Sequence, residues 1–238
     1  MTAEKKAHRA FFPCFLAAFL LVWLAALNAV YLSAIKPSSF EKALLQTVDA
    51  ERLGTDAKSL QAFASHTIAY LVGEEAVWSP QITLLGTPAS TFIPMAFRAH
   101  MAEVRGWVQL APPFFLTGAA LVLLLLWLAV KRHRGKHGLC LGGYYAGVGA
   151  AFLLLAALGL WAVLDFNSLW GVLHRVLIPD GIFSAGELVM QLFPITLFSA
   201  YLPNVVQTFA LLCGLVLLLP LAVSHLVQAF ARHKSPRP

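Results

Sequence analysis

The chain is 238 residues long, 59% hydrophobic and only 12% charged, with a mean hydropathy of +0.75. Those values lie outside the range of a soluble globular domain and point to an integral membrane protein. The formal net charge of +6 is gathered in three short clusters, so it reads as a topology signal and excludes a nucleic-acid footprint.

Four stretches are apolar over enough length to cross the roughly 30 Å hydrocarbon core, at about 10–33, 110–130, 139–164 and 205–230. Each can satisfy its backbone there only as a helix, so the expected fold is all-α, a single membrane domain over 1–238. The basic clusters are Lys5, Lys6 and Arg9; Lys131, Arg132, Arg134 and Lys136; and Arg232, Lys234 and Arg237. Placing all three on the cytoplasmic side puts both termini inside, and an even number of spans permits it. The segments at about 34–109 and 165–204 then form a small, mostly helical extracytoplasmic cap. Between them they carry seven Lys/Arg against ten Asp/Glu.

In chain order, the first span follows KKAHR but is longer than a signal-peptide core and has no clear cleavage site, so it reads as an uncleaved anchor with Pro13 in its first turn. Ser38 and Glu41 have capping-box spacing for a short helix with Phe40, Leu44 and Val48 on one face, stopped near Gly54. Asp56 can cap a second helix bearing Leu60, Phe63, Thr67 and Leu71, ending near Gly73. Prolines 80, 88 and 94 make the next stretch a run of turns with one short extended piece, ITLL. Pro94 can open a third helix that ends at Pro112-Pro113, where the second span starts. In the third span Gly143 and Gly147 form G-x-x-x-G, a close-packing signal whose groove could alternatively admit an acyl chain. After it, Phe166, Leu169, Trp170, Leu173 and Leu177 make an apolar stripe suited to the lipid headgroup region. Pro220 should kink the last span.

Cys14, Cys140 and Cys213 lie in or beside spans, without CxxC, and read as small apolar residues. There is no G-x-S-x-G, H-E-x-x-H or phosphate loop. Of eight histidines, His8, His133, His137 and His233 belong to the basic clusters and His225 lies near the inner end of the last span. His66, His100 and His174 remain for the outer side, and His66 sits within a separate amphipathic helix. His100, Glu103 and Trp107 share a helical face, so Glu103 could fix the His100 tautomer; an ordinary surface pair has the same spacing. His174, one turn beyond Trp170, is either an imidazole at the depth of lipid esters or a solvent-facing histidine on an interfacial helix. A zinc or haem site between the two segments is weakly signalled, with two histidines and one glutamate.

The segments FRAHMAEVRGWVQL and FNSLWGVLHRVLIPDGIFSAGELVMQLFP resemble the lipoprotein intramolecular transacylase (Lit) family of four-span bacterial membrane enzymes. The family's histidine–methionine–x–acid–valine stretch appears as HMAEV, with Glu103 where aspartate is usual. Its phenylalanine-rich segment ending in histidine appears as FNSLWGVLH, with Asn167 where aspartate is common and Trp170 and Leu173 where phenylalanines are. Phe183 stands at a tryptophan position, and Phe193-Pro194 is followed by Ile195, not glutamate. The resemblance implies transfer of the sn-2 acyl chain of a diacylglyceryl-cysteine lipoprotein onto the cysteine α-amine through an eight-membered ring. It implies no cofactor or metal, a bacterial plasma membrane, and an outward-facing site in contact with membrane lipids. His100 and His174 would be catalytic, with Glu103, Trp170 and Asn167 in support. A non-enzymatic four-span sensor or accessory subunit, and a histidine-ligated metal or haem carrier, are the competing classes.

Overall fold

The computed structural model describes residues 3–132, 139–178, 183–184 and 186–234, with side chains placed between 10 and 226. His133, His137 and Asp180, and the side chains of His8 and His233, fall outside that description. The described chain is almost wholly helical, and four of its helices are long and apolar enough to cross a membrane. It packs as two compact units, residues 1–29, 113–159 and 208–238, and residues 30–112 and 160–207.

Helix α1 runs Ala3–Ala34, so Pro13 lies in its interior and not in its first turn, because the polar AEKKAHR stretch continues the helix outward. Helix α2, Pro37–Thr47, has Lys36 as its N-cap with no side-chain cap bond. The Ser38–Glu41 capping box is therefore not formed: Pro37 at the first helical position already lacks the N–H that a cap would satisfy, and the helix starts two residues earlier than a Ser38 cap would set it. Nor does α2 last until Gly54. The Asp49 carboxylate accepts from Arg52 N–H at 3.0 Å, offering the backbone a turn in place of the helix, and Gly54 closes that turn at φ 59°. Helix α3, Ala57–Val72, is capped by Asp56, which accepts from Ser59 N–H, and ends at left-handed Gly73. Strands β1, Thr83–Leu84, and β2, Thr87–Pro88, pair antiparallel across Leu85 and Gly86, both at positive φ as a tight twisted hairpin requires.

After the single turn of α4, Ala89–Phe92, helix α5 runs unbroken from Met95 to Arg132. The expected break at Pro112-Pro113 does not occur. Two prolines remove two ladder bonds, but their fixed φ is helical, and the flanking residues supply every other bond of the ladder. At 38 residues α5 is roughly 57 Å long, nearly twice the hydrocarbon thickness. Its apolar stretch starts near Leu110, so residues 95–109, His100 included, precede it. Helices α6, Leu141–Leu164, and α7, Phe166–Leu177, follow, then a 3-10 turn at Leu188–Gln191, α8, Ile195–Ser199, and α9, Leu202–Lys234.

In the first unit α1 presents a buried ladder of Cys14, Ala17, Ala18, Val22 and Ala25. A Cβ on Gly143 or Gly147 of α6 would strike the backbone of Phe11 or Phe15, so the G-x-x-x-G face is filled by α1 and not by an open groove. Cys14 Sγ accepts from Cys140 N–H at 3.3 Å, and the three cysteines are free. Pro220, buried inside α9, cannot donate to the Val216 carbonyl. The Tyr144 hydroxyl of α6 donates to that oxygen instead, at 2.6 Å. Leucines such as Leu116, Leu153 and Leu211 are exposed on the outside of these helices, as lipid-facing side chains are.

The second unit has its own core. Phe40, Leu44, Leu60, Phe63, Trp78, Leu84, Phe97, Leu192, Phe193 and Leu197 are buried together, and the Trp78 indole donates to the buried Thr67 hydroxyl at 3.2 Å.

Candidate active site

Pro94 starts α5 by accepting from the N–H groups of both Phe97 and Arg98. Phe97 and Met101 then face the core and are buried, which turns His100 to the edge of the aromatic cluster, half-buried. The second imidazole arrives on α7. Asp165 caps that helix by accepting from Ser168 N–H at 3.0 Å, and the Ile178 N–H closes it on the His174 carbonyl at 2.7 Å. No side chain of α7 is fully buried, so packing alone holds it weakly. A hydrogen bond from the Trp107 indole N–H to the Leu177 carbonyl, 3.2 Å, joins its last turn to the face of α5 that carries His100.

The two imidazole centroids are 5.9 Å apart with planes 29° from parallel. One reacting centre can therefore be within hydrogen-bond reach of both rings. Aromatic rings enclose them. Phe97 lies 5.7 Å from His100, and Phe183 meets it edge-on at 5.5 Å. Trp170 lies 4.7 Å from His174 and is itself stacked between Phe166 at 5.9 Å and Phe198 of α8 at 4.2 Å. Trp170 thus lies against His174. Phe97 and Phe198 do not stand out in the sequence as site residues. Phe97 has a signal, standing nearly one turn before His100, whereas Phe198 has none, because only folding brings α8 to Trp170.

Glu103 does not take the expected place. Its side chain is exposed, and the His100 Nδ1 atom is buried without a hydrogen-bond partner. Among the described residues no ion pair joins the two. Nδ1 is turned inward among rings, where an unpaired carboxylate would be strongly disfavoured, and Glu103 keeps its hydration. Asn167 is exposed on the first turn of α7, two turns from His174. His66 is committed to the fold, since its Nε2 accepts from Ser79 N–H at 2.9 Å. Among the described residues no three His, Cys, Asp or Glu side chains converge as a metal site would need.

Burial pushes the His100 pKa below the usual 6.5, and a charge on His174 lowers it further. Burial also lowers that of His174, partly offset by hydrogen bonding with the Trp170 backbone. Burial thus favours the neutral, proton-accepting form of both rings. A family model described as lipoprotein intramolecular transacylase Lit matches residues 11–198, a stretch that includes both histidines and most of the chain.

The chain belongs to the Lit family.

No curated protein and no solved structure matches it. Lit membership implies an acyltransferase that acts on lipoproteins, and four long apolar helices fit a multi-pass membrane enzyme. The HMAEV and FNSLWGVLH segments that carry the resemblance in sequence are those that deliver the two imidazoles to each other. Phe183 presents an aromatic edge to His100.

Proposed function

We propose that this protein moves the sn-2 acyl chain of a diacylglyceryl-cysteine lipoprotein to the α-amine of the same cysteine, with His100 and His174 as the catalytic pair. The observation that carries this reading is the 5.9 Å separation of two imidazoles inside an aromatic enclosure, in a chain of the Lit family. The enclosure suits a glycerolipid, whose apolar chains need cover while its ester and amine need polar atoms.

The cysteine α-amine, with a pKa near 8, is mostly ammonium at neutral pH and cannot attack until it loses a proton. His100 is the proposed base: burial favours its neutral, proton-accepting form, and its ring stands 5.9 Å from that of His174. The amine nitrogen then attacks the ester carbonyl, closing a ring of N, Cα, Cβ, S, two glycerol carbons, the ester oxygen and the carbonyl carbon. The nitrogen gives its second proton to the neutral His174; when the C–O bond breaks, the His174 imidazolium passes that proton to the sn-2 oxygen, and His100 releases the ammonium's first proton to water, so both rings end neutral. The products are an amide and a free glycerol hydroxyl with no atom gained or lost. Because both partners are one molecule, the rate enhancement rests on holding a flexible lipid in a reactive pose as well as on proton transfer.

The three basic clusters support an orientation with both termini in the cytoplasm of a bacterium and the segments at about 34–109 and 165–204 outside its plasma membrane. A diacylated lipopeptide incubated with the enzyme tests the reaction. Its mass should stay constant while its free amine disappears; a gain of one acyl chain indicates intermolecular transfer, and a loss indicates a lipase. Replacing His100 or His174 with alanine should lower kcat by at least about 10²-fold. Parental turnover by both variants would remove the pair from the mechanism.

A further inference from the structure

The second unit also contains a cavity of about 260 Å³ that the acyl shift does not use, walled by Arg98 on one side and by the 79–90 stretch on the other. Ile82 is buried at its floor, while Ser79, Gln81, Thr83 and Ser90 are exposed around its mouth. Its lining contains one cation and no carboxylate. The Arg98 guanidinium, half-buried, gives one N–H to the Trp78 carbonyl at 3.2 Å. Among the described residues no acid pairs with it, and an arginine presents five donors, so several remain for a ligand. A half-buried guanidinium ringed by hydroxyls and an amide is complementary to an oxyanion.

The position of the cavity relative to His100 identifies the ligand. Two residues apart on α5, Arg98 and His100 project about 200° from each other. On one side the interval between them is closed by buried Phe97; on the other it is spanned by Ala96, Ala99 and Met95, all exposed, Met95 by 82%. An exposed track of mostly small side chains therefore leads around α5 from the imidazole to the guanidinium, over roughly 20 Å, or about six residues of extended chain. Glu103 borders the start of that track, so an acidic side chain is favoured only at its far end.

We propose that the cavity is the subsite for the polypeptide that follows the lipidated cysteine, and that Arg98 selects an acidic side chain within roughly the first eight residues. This rests on the acyl-shift reading, which places the cysteine amine at the imidazoles and obliges the rest of the polypeptide to leave from there.

The test compares three synthetic diacylated lipopeptides, identical except for an acidic, neutral or basic pair at residues six and seven, with purified enzyme in detergent. The parent should favour the acidic over the basic peptide by about tenfold in kcat/KM, the size expected for one ion pair worth about 1.4 kcal/mol. Arg98→Gln should abolish that ratio, and Ser90→Asp, a change at an exposed position, should invert it. A ratio near one in the parent, or a ratio unchanged in both variants, overturns the proposal while leaving the acyl shift standing. N-acetylated versions, which cannot react, separate the two readings: charge-dependent binding lost in Arg98→Gln supports the subsite even if no lipopeptide is turned over. Displacement of the acidic N-acetylated peptide by phosphatidylglycerol vesicles, and not by phosphatidylcholine vesicles, would assign the cavity to a lipid headgroup and overturn the peptide subsite.

Discussion

At the scale of single residues, the two histidines owe their properties to position more than to type. His225 is an exposed histidine at the other end of the chain's hydropathy pattern, and His66 spends its ring nitrogen on a backbone N–H. Among the described histidines, His100 alone has a buried nitrogen with nothing to bond. Its pKa is depressed by burial and by His174, so the sign of the pH dependence follows. Below about 6.5 the unfolded chain takes up the proton more readily than the folded one, so the stabilisation is complete above that pH and is lost as pH falls through the folded value. Titration of ¹³C-labelled histidine by NMR should give a His100 midpoint below 6.5, and His174→Gln should raise it by removing the like charge; no change in that variant would mean that the rings are not electrostatically coupled. Glu103→Gln should leave kcat within about threefold of the parent, because the carboxylate is solvated and does not reach Nδ1. A hundredfold loss there would restore Glu103 as the group that orients the base.

Among the elements, α7 has the weakest hold on the molecule relative to its importance. It buries no residue completely and delivers His174, so its register against α5 depends on few contacts. Trp107→Phe keeps an aromatic ring but removes the bond to the Leu177 carbonyl. The expected outcome is a kcat several-fold lower with little change in thermal midpoint, and a wider spread of distances between spin labels on α5 and α7; a fall in midpoint with kcat per folded molecule unchanged would make Trp107 merely structural. In the membrane-spanning unit, α9 can contain Pro220 because α6 supplies a donor for the carbonyl that proline strands. Tyr144→Phe removes that donor and leaves a buried oxygen unpaired, a cost of about 1–3 kcal/mol. Thermal denaturation in detergent should report the loss, whereas Tyr145→Phe, at an exposed site one residue on, should not.

For the whole molecule, orientation decides whether the proposed site can meet its substrate. Reporters fused after Arg134 and after Arg232 should read as cytoplasmic, and one inserted near Gly73 as external; an external reading at Arg134 would put the imidazoles on the wrong side. Four long apolar helices, the cap at Asp56 and the stripe of α7 were legible in the sequence, because hydropathy and capping act over a few residues and depend little on the rest of the chain. The same locality explains the errors. Pro112-Pro113 reads as a helix break and Ser38 as a cap, yet neighbouring helical geometry overrode both. The pairing of His100 with His174 could be suspected from the order of the segments. What only the tertiary structure decided was their 5.9 Å separation, the inward turn of Nδ1 away from Glu103, the Phe198 contact on Trp170 and the cavity beside Arg98. Each of these depends on side chains far apart in sequence competing for one buried volume, and that competition leaves no periodic trace in the order of residues.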